Sequence, residues 1–231
     1  MRLFPRFLFS MILVTAATRF ELDVFLASVQ TNTGWCSLLT GIGPVESALQ
    51  VTDFLARSQQ PFEVVINFGV AGAYIGNSAG AGLLDICLAE REVLGDLGIC
   101  TGEQVIPLRL PALEIMDSFS LDSPELQRTA SLLGTMDLSW YQGNFITVNG
   151  TSGTRRRGDA LARQHDGLCE NMEGAAVARV CRHFQLPLIE LRCISNLVED
   201  RNPDNWCLVE ACQRCGQVVA AVVQALACPA A

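Results

Sequence analysis

The chain has 231 residues, half of them hydrophobic, and a formal net charge of −8 at pH 7. This length and composition suit one large α/β domain with a sizeable core. Nucleic-acid phosphates and anionic membrane surfaces bind concentrated Arg and Lys, so this acidic balance favours a small-molecule ligand, with neither a nucleic acid nor a membrane as partner.

The ten cysteines are scattered along predicted strands and helices. We interpret them as reduced, mostly buried side chains of a cytoplasmic protein. Cys212 and Cys215 have the C-x-x-C spacing, but they lie in a helical pattern at 205–227, and the chain has only two histidines. Zinc needs four ligands and a redox pair usually opens a helix after a strand, so we predict a structural role for this pair and no metal or cofactor.

Residues 1–10 combine two arginines with an apolar run that continues into MILV at 11–14, a composition similar to a short signal peptide. No later stretch is long and apolar enough to span a membrane.

The next feature is Glu21, the only carboxylate where a turn at 18–21 leads into an amphipathic helix. An acid at this position is commonly there because the helix dipole favours it.

Two glycine turns follow. Gly41-Ile42-Gly43-Pro44 comes after a predicted strand at 37–40 and opens a helix at Val45, with proline in the first turn. Such a turn lets a backbone or an anion approach closely, although it is more often only a turn. The apolar segment 64–68 is typical of a central parallel strand, and we expect it to end in the loop GVAG at 69–72.

The middle of the chain is less regular. A strand is predicted at 83–89, followed by a loop that carries Glu90, Glu92 and Asp96 and by an exposed Arg91. Residues 100–140 are predicted to form a peripheral insertion, a candidate oligomer contact, with a helix at 121–133 capped by Asp122 or Ser123.

Order returns with a strand at 144–148 that ends in NGTSGT at 149–154, where hydroxyls and glycines suit a binding loop. The basic cluster RRR at 155–157 is interpreted as a solvated turn before a helix at 159–164. The alternative is that one of these arginines meets a carboxylate of a ligand.

The most informative stretch runs from 169 to 206. Glu173 lies where an extended segment gives way to a helix at 174–183, whose apolar residues recur at three- and four-residue spacing. A buried strand at 188–194 contains Arg192, which is costly to bury without an acid such as Glu173 or Glu190. Ser195 and Asn196 are predicted just past its carboxyl end, where ligands bind in open α/β sheets.

These segments carry a resemblance. MEGAAVARVC at 172–181 followed by LPLIELRCISN at 186–196 is similar to the purine nucleoside phosphorylase and nucleosidase superfamily, and GIGPVESAL, INFGVAGAY and FITVNGTSGT match it in order. SNLVEDRNPDNW at 195–206 resembles one branch, the futalosine hydrolases. The resemblance implies a single three-layer α/β/α domain with a mixed central sheet over residues 11–231. It also implies homo-oligomers.

The family's first strand should begin at 11–16, so cleavage of a signal peptide there would remove it. Residues 1–10 are therefore predicted to be an extension, either from a misplaced start or a short leader. The resemblance assigns catalysis to Glu21, which activates water, to Glu173, which holds the ribose, and to Asn196, which holds the base. It assigns substrate binding to a further set: Gly43, Ala71, Gly72, Thr151, Met172, Ser195 and Arg201.

Asn196 also bears on the identity of the base. A 6-oxopurine presents acceptors at N7 and O6, to which an amide NH2 can donate, whereas an ionised aspartate would face lone pairs. The branch implies hydrolysis of futalosine, a 6-oxopurine nucleoside with a carboxyphenyl group, to hypoxanthine and dehypoxanthine futalosine in menaquinone biosynthesis. Two alternatives stay open: a phosphate-dependent phosphorylase of inosine or guanosine, and a non-catalytic secreted storage-type relative.

Overall fold

The computed structural model describes residues 11–31, 33–76, 79–108, 112 and 114–227. Its strands are β1 (Met11–Ala16), β2 (Trp35–Leu39), β3 (Phe62–Tyr74), β4 (Ile86–Leu94), β5 (Gly98–Thr101), β6 (Gln104–Pro107), β7 (Ser118–Ser120), β8 (Trp140–Thr147), β9 (Gly167–Asn171) and β10 (Leu188–Val198). Its helices are α1 (Arg19–Ser28), α2 (Pro44–Arg57), α3 (Pro124–Leu133), α4 (Arg155–His165), α5 (Gly174–Phe184) and α6 (Leu208–Ala227). The predicted extension at 1–10 lies outside the described residues, and the predicted domain bounds stay a prediction.

The central sheet has the order β10-β4-β8-β9-β3-β1-β2, with β7 paired to β4 and β10 paired also to β3. The pairs from β10 through β4, β8, β9 and β3 back to β10 therefore close a ring. The sheet is mixed, since β10–β4 and β3–β9 are antiparallel while β1–β3 and β10–β3 are parallel. Apolar faces of α1 and α6 pack on one side and those of α2 and α5 on the other, which confirms the predicted three-layer α/β/α fold.

Two strands are longer than predicted, because pairing on both edges overrides local composition. β3 continues through the expected loop at 69–72, where it pairs with β10 and, at Gly72, with β9. A side chain at Gly69 would collide with the Glu21 carboxylate, so the glycines permit close packing without ending the strand. β10 likewise continues to Val198, and Ser195 and Asn196 lie within it, at a register irregularity, rather than past its end.

The strand predicted at 83–89 is shifted to β4, so Glu90 and Glu92 belong to a strand and not to a loop. Glu92 is fully buried, whereas Arg91 is exposed as predicted. The arginines at 155–157 form the first turn of α4, which begins earlier than predicted because Thr154 caps it through the Arg157 N–H at 3.2 Å.

The predicted insertion divides into two parts. β5 and β6 form a separate two-stranded sheet. α3 is capped by Ser123, one of the two predicted caps, and buries Leu126 and Leu133 in the main core, so this part is not peripheral. Across the described ranges, no helix has both the length and the apolar character required to cross a membrane.

Candidate active site

A cavity of about 290 Å³ opens where the N-terminal ends of α1 and α5 meet β3, β9 and β10. Of the predicted site residues, all but Gly43 line it: Glu21, Ala71, Gly72, Thr151, Met172, Glu173, Ser195, Asn196 and Arg201. The three proposed catalytic side chains come from distant parts of the chain and share this one cavity. That convergence is the condition on which the predicted chemistry depends.

Glu21 caps helix α1 and also lines the cavity, although its side chain is buried. It forms a capping box with Thr18, whose backbone N–H and hydroxyl donate to Oε2 at 3.0 and 2.7 Å. The Val70 N–H donates to Oε1 at 3.2 Å. A carboxylate has about four acceptor sites, so one remains for a water in the cavity.

Glu173 is the N-cap residue of α5 and is 4% exposed. Gly43 N–H donates to its Oε1 at 3.1 Å and Arg192 Nη1 donates to its Oε2 at 3.2 Å. Gly43 has a φ of 93°, a value that L side chains rarely adopt, so glycine is needed where the backbone turns toward this carboxylate. Gly43 thus positions the Glu173 carboxylate through its backbone N–H and, contrary to the prediction, does not line the cavity.

Arg192 is the buried cation that holds these acids together, as predicted. Its Nη2 and Nε lie 2.8 and 3.0 Å from Glu190 Oε1, and Nη1 reaches Glu173. Burial alone would lower the pKa of Arg192, but the carboxylates of Glu190, Glu173 and Glu21 outweigh it and raise that pKa above its usual value. The guanidinium therefore stays charged and orients Glu173.

A second buried network lies behind the backbone of Glu173. Thr147 Oγ1 donates to Glu92 Oε2 at 2.7 Å, and Asn171 Nδ2 donates to Glu92 Oε1 at 2.8 Å. Asn171 Oδ1 in turn accepts from the N–H groups of Glu173 and Gly174 at 2.9 and 2.8 Å. Glu92 thus fixes the start of α5 through Asn171. The sequence pattern missed this role because it placed Glu92 in a loop.

Glu92 is expected to make stability depend on pH. Burial, reinforced by the charge of Glu190, raises the pKa of Glu92 well above its usual value. Its stabilising contribution is therefore complete below the ordinary glutamate pKa of about 4.3 and is lost as pH rises through the folded-state value. Glu92→Gln cannot ionise, so we expect its free energy of unfolding to exceed the wild-type value at pH 8 by on the order of 1 kcal/mol.

Urea denaturation at pH 5 and pH 8 measures this difference. Glutamine keeps the network, because its amide can donate to Thr147 while Thr147 donates to Asn171 Oδ1, 3.2 Å away. Glu90→Gln, on the same strand but exposed, is the matched control and should change neither value. If the free energy of unfolding depended on pH equally in Glu92→Gln and in wild type, ionisation of Glu92 would not be the cause of that dependence.

Asn196 presents its amide nitrogen as the free end. Ser195 Oγ donates to Asn196 Oδ1 at 2.9 Å, which accounts for the amide oxygen. One amide hydrogen points to Leu197 O, 3.3 Å from Nδ2. The second hydrogen remains to donate to a ligand, as the predicted recognition of a 6-oxopurine requires.

Two features at the mouth complete the cavity. Among the described lining residues, Trp206 is the one aromatic ring, and the Arg201 guanidinium lies 4.9 Å from its centroid.

The arginines at 155–157 do not line the cavity; Arg157 donates to Gly150 O at 3.1 Å and lies 3.7 Å from Asp96. The interpretation of this cluster as a ligand-binding one is therefore not supported.

The cavity wall also includes residues that the sequence analysis did not assign to the site, of which Thr18, Ile42, Val70 and Ser152 lie in its predicted turns and loops and the rest do not: Ala17, Glu170, Asn171 and Leu208. Glu170 is the one that a pattern could have revealed, because it is an acid in the short buried strand β9.

Cys212 and Cys215 are free and buried in α6, in agreement with a structural role. In the described part of the chain, no His, Cys, Asp and Glu side chains gather as a metal site would require.

Comparison with known proteins identifies the family of this chain. Residues 21–227 match the model of the phosphorylase superfamily. A futalosine hydrolase of Thermus thermophilus is 38% identical over 185 residues, which cover 78% of this chain and 77% of the relative. A 5'-methylthioadenosine/S-adenosylhomocysteine nucleosidase of Staphylococcus saprophyticus is 31% identical over 168 residues, covering 69% and 67%.

A solved structure gives the same fold. The structure of a futalosine hydrolase mutant of Helicobacter pylori superposes with a TM-score of 0.81 at 19% identity, covering 94% of this chain and 99% of that one. The family model and the 38% identical relative confirm the predicted family, and the solved structure confirms the fold class.

Proposed function

The chain belongs to the phosphorylase superfamily, and from this premise we propose that it hydrolyses the N-glycosidic bond of futalosine, releasing hypoxanthine and dehypoxanthine futalosine for menaquinone biosynthesis. The observation that carries the proposal is the convergence of Glu21, Glu173 and Asn196 on one cavity. The 38% identity to a futalosine hydrolase over most of both chains supports the choice of substrate.

Glu173 is proposed to hold the ribose. Gly43 and Arg192 each occupy part of one carboxylate oxygen, so acceptor capacity remains for sugar hydroxyls. Its negative charge is held in place before the reaction, near the sugar carbon where positive charge develops as the C–N bond breaks. Preorganised charge of this kind is usually the largest single contribution to catalysis.

Glu21 is proposed to be the general base. It takes a proton from water while the water oxygen bonds to the anomeric carbon, and the electrons of the C–N bond leave with the purine. Asn196 donates to the purine as negative charge builds on it, and the released base takes a proton from solvent. Met172, Ala71, Gly72, Thr151 and Ser195 line the space that the nucleoside would occupy.

Product analysis tests the function. Futalosine and inosine are each incubated with the protein in phosphate-free buffer and in buffer with phosphate, and hypoxanthine is measured. We expect hypoxanthine from futalosine without phosphate. Hypoxanthine that appears only with phosphate would assign a phosphorylase, and none under any condition would favour the storage-type alternative.

Arg201 is proposed to bind the carboxylate of the carboxyphenyl group. Of the two lining arginines, Arg192 is engaged by Glu173 and Glu190, whereas Arg201 is exposed at the mouth and stacks on Trp206. Arg201→Gln should raise KM for futalosine about tenfold with little change in kcat, as expected for loss of one exposed charge-assisted contact.

The methyl ester of futalosine provides the comparison, because it lacks the carboxylate charge. Its KM should be the same in wild type and Arg201→Gln. Arg155→Gln, an arginine outside the cavity, should leave both substrates unaffected. An equal increase of KM for acid and ester would show that Arg201 acts on the shape of the pocket and not on the carboxylate.

We also propose that the protein forms homo-oligomers through an apolar patch at the start of α2. Ile42, Val45 and Leu49 are 60%, 75% and 58% exposed; Val45 and Leu49 share a helix face at i, i+4 spacing, and Ile42, just before the helix, also lines the cavity. Large apolar side chains that are exposed close together in this way are typical of interfaces. Val45→Glu should convert a multimeric mass to the monomer mass in light scattering, while Gln60→Glu should not. A monomeric wild type would contradict this proposal.

We propose a cytoplasmic location because the cysteines of the described ranges are not paired in disulfides. The nine that the structure describes are all free, and most are buried in the core. A reducing compartment is where free thiols of this number persist. Mass spectrometry of the mature N terminus, compared with a cleaved form, tests this location.

A further inference from the structure

Three adjacent strands place Glu170, Gly72 and Asn196 side by side. Gly72 pairs with Glu170 of β9 on one side and with Asn196 of β10 on the other. Directly paired residues project their side chains to the same face of a sheet, and strands lie about 4.8 Å apart. Glu170 and Asn196 therefore project from the same face, with Cα atoms roughly 10 Å apart across a residue without a side chain.

Gly72 keeps the space between them open. A Cβ at this position would lie 3.0 Å from both Asn196 Nδ2 and Val198 Cγ2, closer than side-chain atoms normally pack. All three residues line the cavity. A flat base resting over Gly72 would meet the Asn196 amide at one edge and the Glu170 carboxylate at another.

Glu170 keeps acceptor capacity for such a base. Ser152 N–H donates to Oε1 and Ser152 Oγ donates to Oε2, both at 2.7 Å. An ionised carboxylate has about four acceptor sites, so acceptor capacity remains beside the two Ser152 contacts, and it has no hydrogen to donate. Burial raises the pKa of Glu170, while Ser152, Tyr74 and Arg157 act in the opposite direction.

We infer that Glu170 is a specificity-determining residue that accepts the N1–H of a 6-oxopurine, an inference that rests on the proposed function. Hypoxanthine offers N7 and O6 as acceptors to Asn196 and N1–H as a donor to Glu170. A 6-aminopurine has a lone pair at N1, which would face the carboxylate, and an amino group where Asn196 offers a donor. Asn196 thus binds acceptors of the purine and Glu170 binds a donor on the neighbouring edge, and together they distinguish a 6-oxopurine from a 6-aminopurine.

Glu170→Gln tests the assignment, because its amide can keep an oxygen on the Ser152 N–H and turn its NH2 to the base. Futalosine and its 6-amino analogue are compared at pH 8, which favours the ionised carboxylate in wild type. We expect the ratio of kcat/KM for futalosine to that for the analogue to fall about ten- to a hundredfold, the discrimination typical of one mismatched buried hydrogen bond.

Ser152→Ala separates recognition from loop support. It removes the hydroxyl contact to Glu170 but leaves the carboxylate, so it should lower kcat/KM for both substrates by similar factors. If Glu170→Gln also lowers both equally, Glu170 only supports the loop and the inference is overturned. If wild type releases no hypoxanthine from futalosine, the proposed function fails instead.

A measurement on wild type guards against a variant that does not fold. Product inhibition by hypoxanthine is compared with inhibition by 1-methylhypoxanthine, which lacks N1–H. We expect the methylated base to inhibit at least tenfold more weakly. Equal inhibition would overturn the inference, because the carboxylate would then make no contact at N1.

Discussion

Glu21→Gln is expected to lower kcat for futalosine hydrolysis by a hundred- to ten-thousandfold, the usual contribution of a general base. The melting temperature should change little. Glutamine serves at the third position of a capping box as glutamate does, so the contacts with Thr18 at 2.7 and 3.0 Å have a replacement. Single-turnover rates and thermal denaturation of the same preparations measure the two effects.

Thr18→Ala is the matched control for the structural role of Glu21. It removes the N-cap hydroxyl and should lower the free energy of unfolding by about 1 kcal/mol, while kcat falls much less than in Glu21→Gln. The two variants thus separate capping from base catalysis. A kcat in Glu21→Gln within tenfold of wild type would mean that another group activates the water.

Arg192→Met is expected to lower the free energy of unfolding by about 3–5 kcal/mol, as is typical when one partner of a buried ion pair is removed. The loss leaves Glu173 and Glu190, which are 4% and 0% exposed, without their cation. Burial already raises the pKa of Glu190 and the Arg192 charge lowers it, so the substitution raises that pKa further. The stability of the variant should therefore fall more steeply with rising pH than that of wild type, which urea denaturation of both proteins at pH 5 and pH 8 can measure.

The double variant Arg192→Met with Glu190→Gln isolates the buried pair. It removes a charge of each sign, so part of the lost stability should return relative to Arg192→Met alone. Arg57→Met breaks an ion pair with Asp53 whose arginine side chain is 79% exposed, and it should cost well under 1 kcal/mol. A double variant no more stable than Arg192→Met would show that Glu190 is not left unpaired by that substitution.

Much of the fold could be predicted because its determinants are local. The Ser123 cap, the proline in the first turn of α2 and the apolar spacing of α5 each depend on residues a few positions apart. The candidate site was predicted to a similar extent, since the segments around Glu21, Glu173 and Asn196 resemble a family that uses these positions. Their catalytic roles stay predictions until the variants are measured.

The sequence by itself determined the family, the main core strands and helices outside residues 90–120, and the polar residues at the helix starts. Only the tertiary structure decided which glutamates are buried and what they contact. Glu92 meets partners 55 and 79 residues away, and Glu170 lies beside Gly72 because two distant strands pair. A periodic pattern records which face of an element is apolar, but the partner of a buried charge depends on strand register, which is set by the packing of the whole sheet.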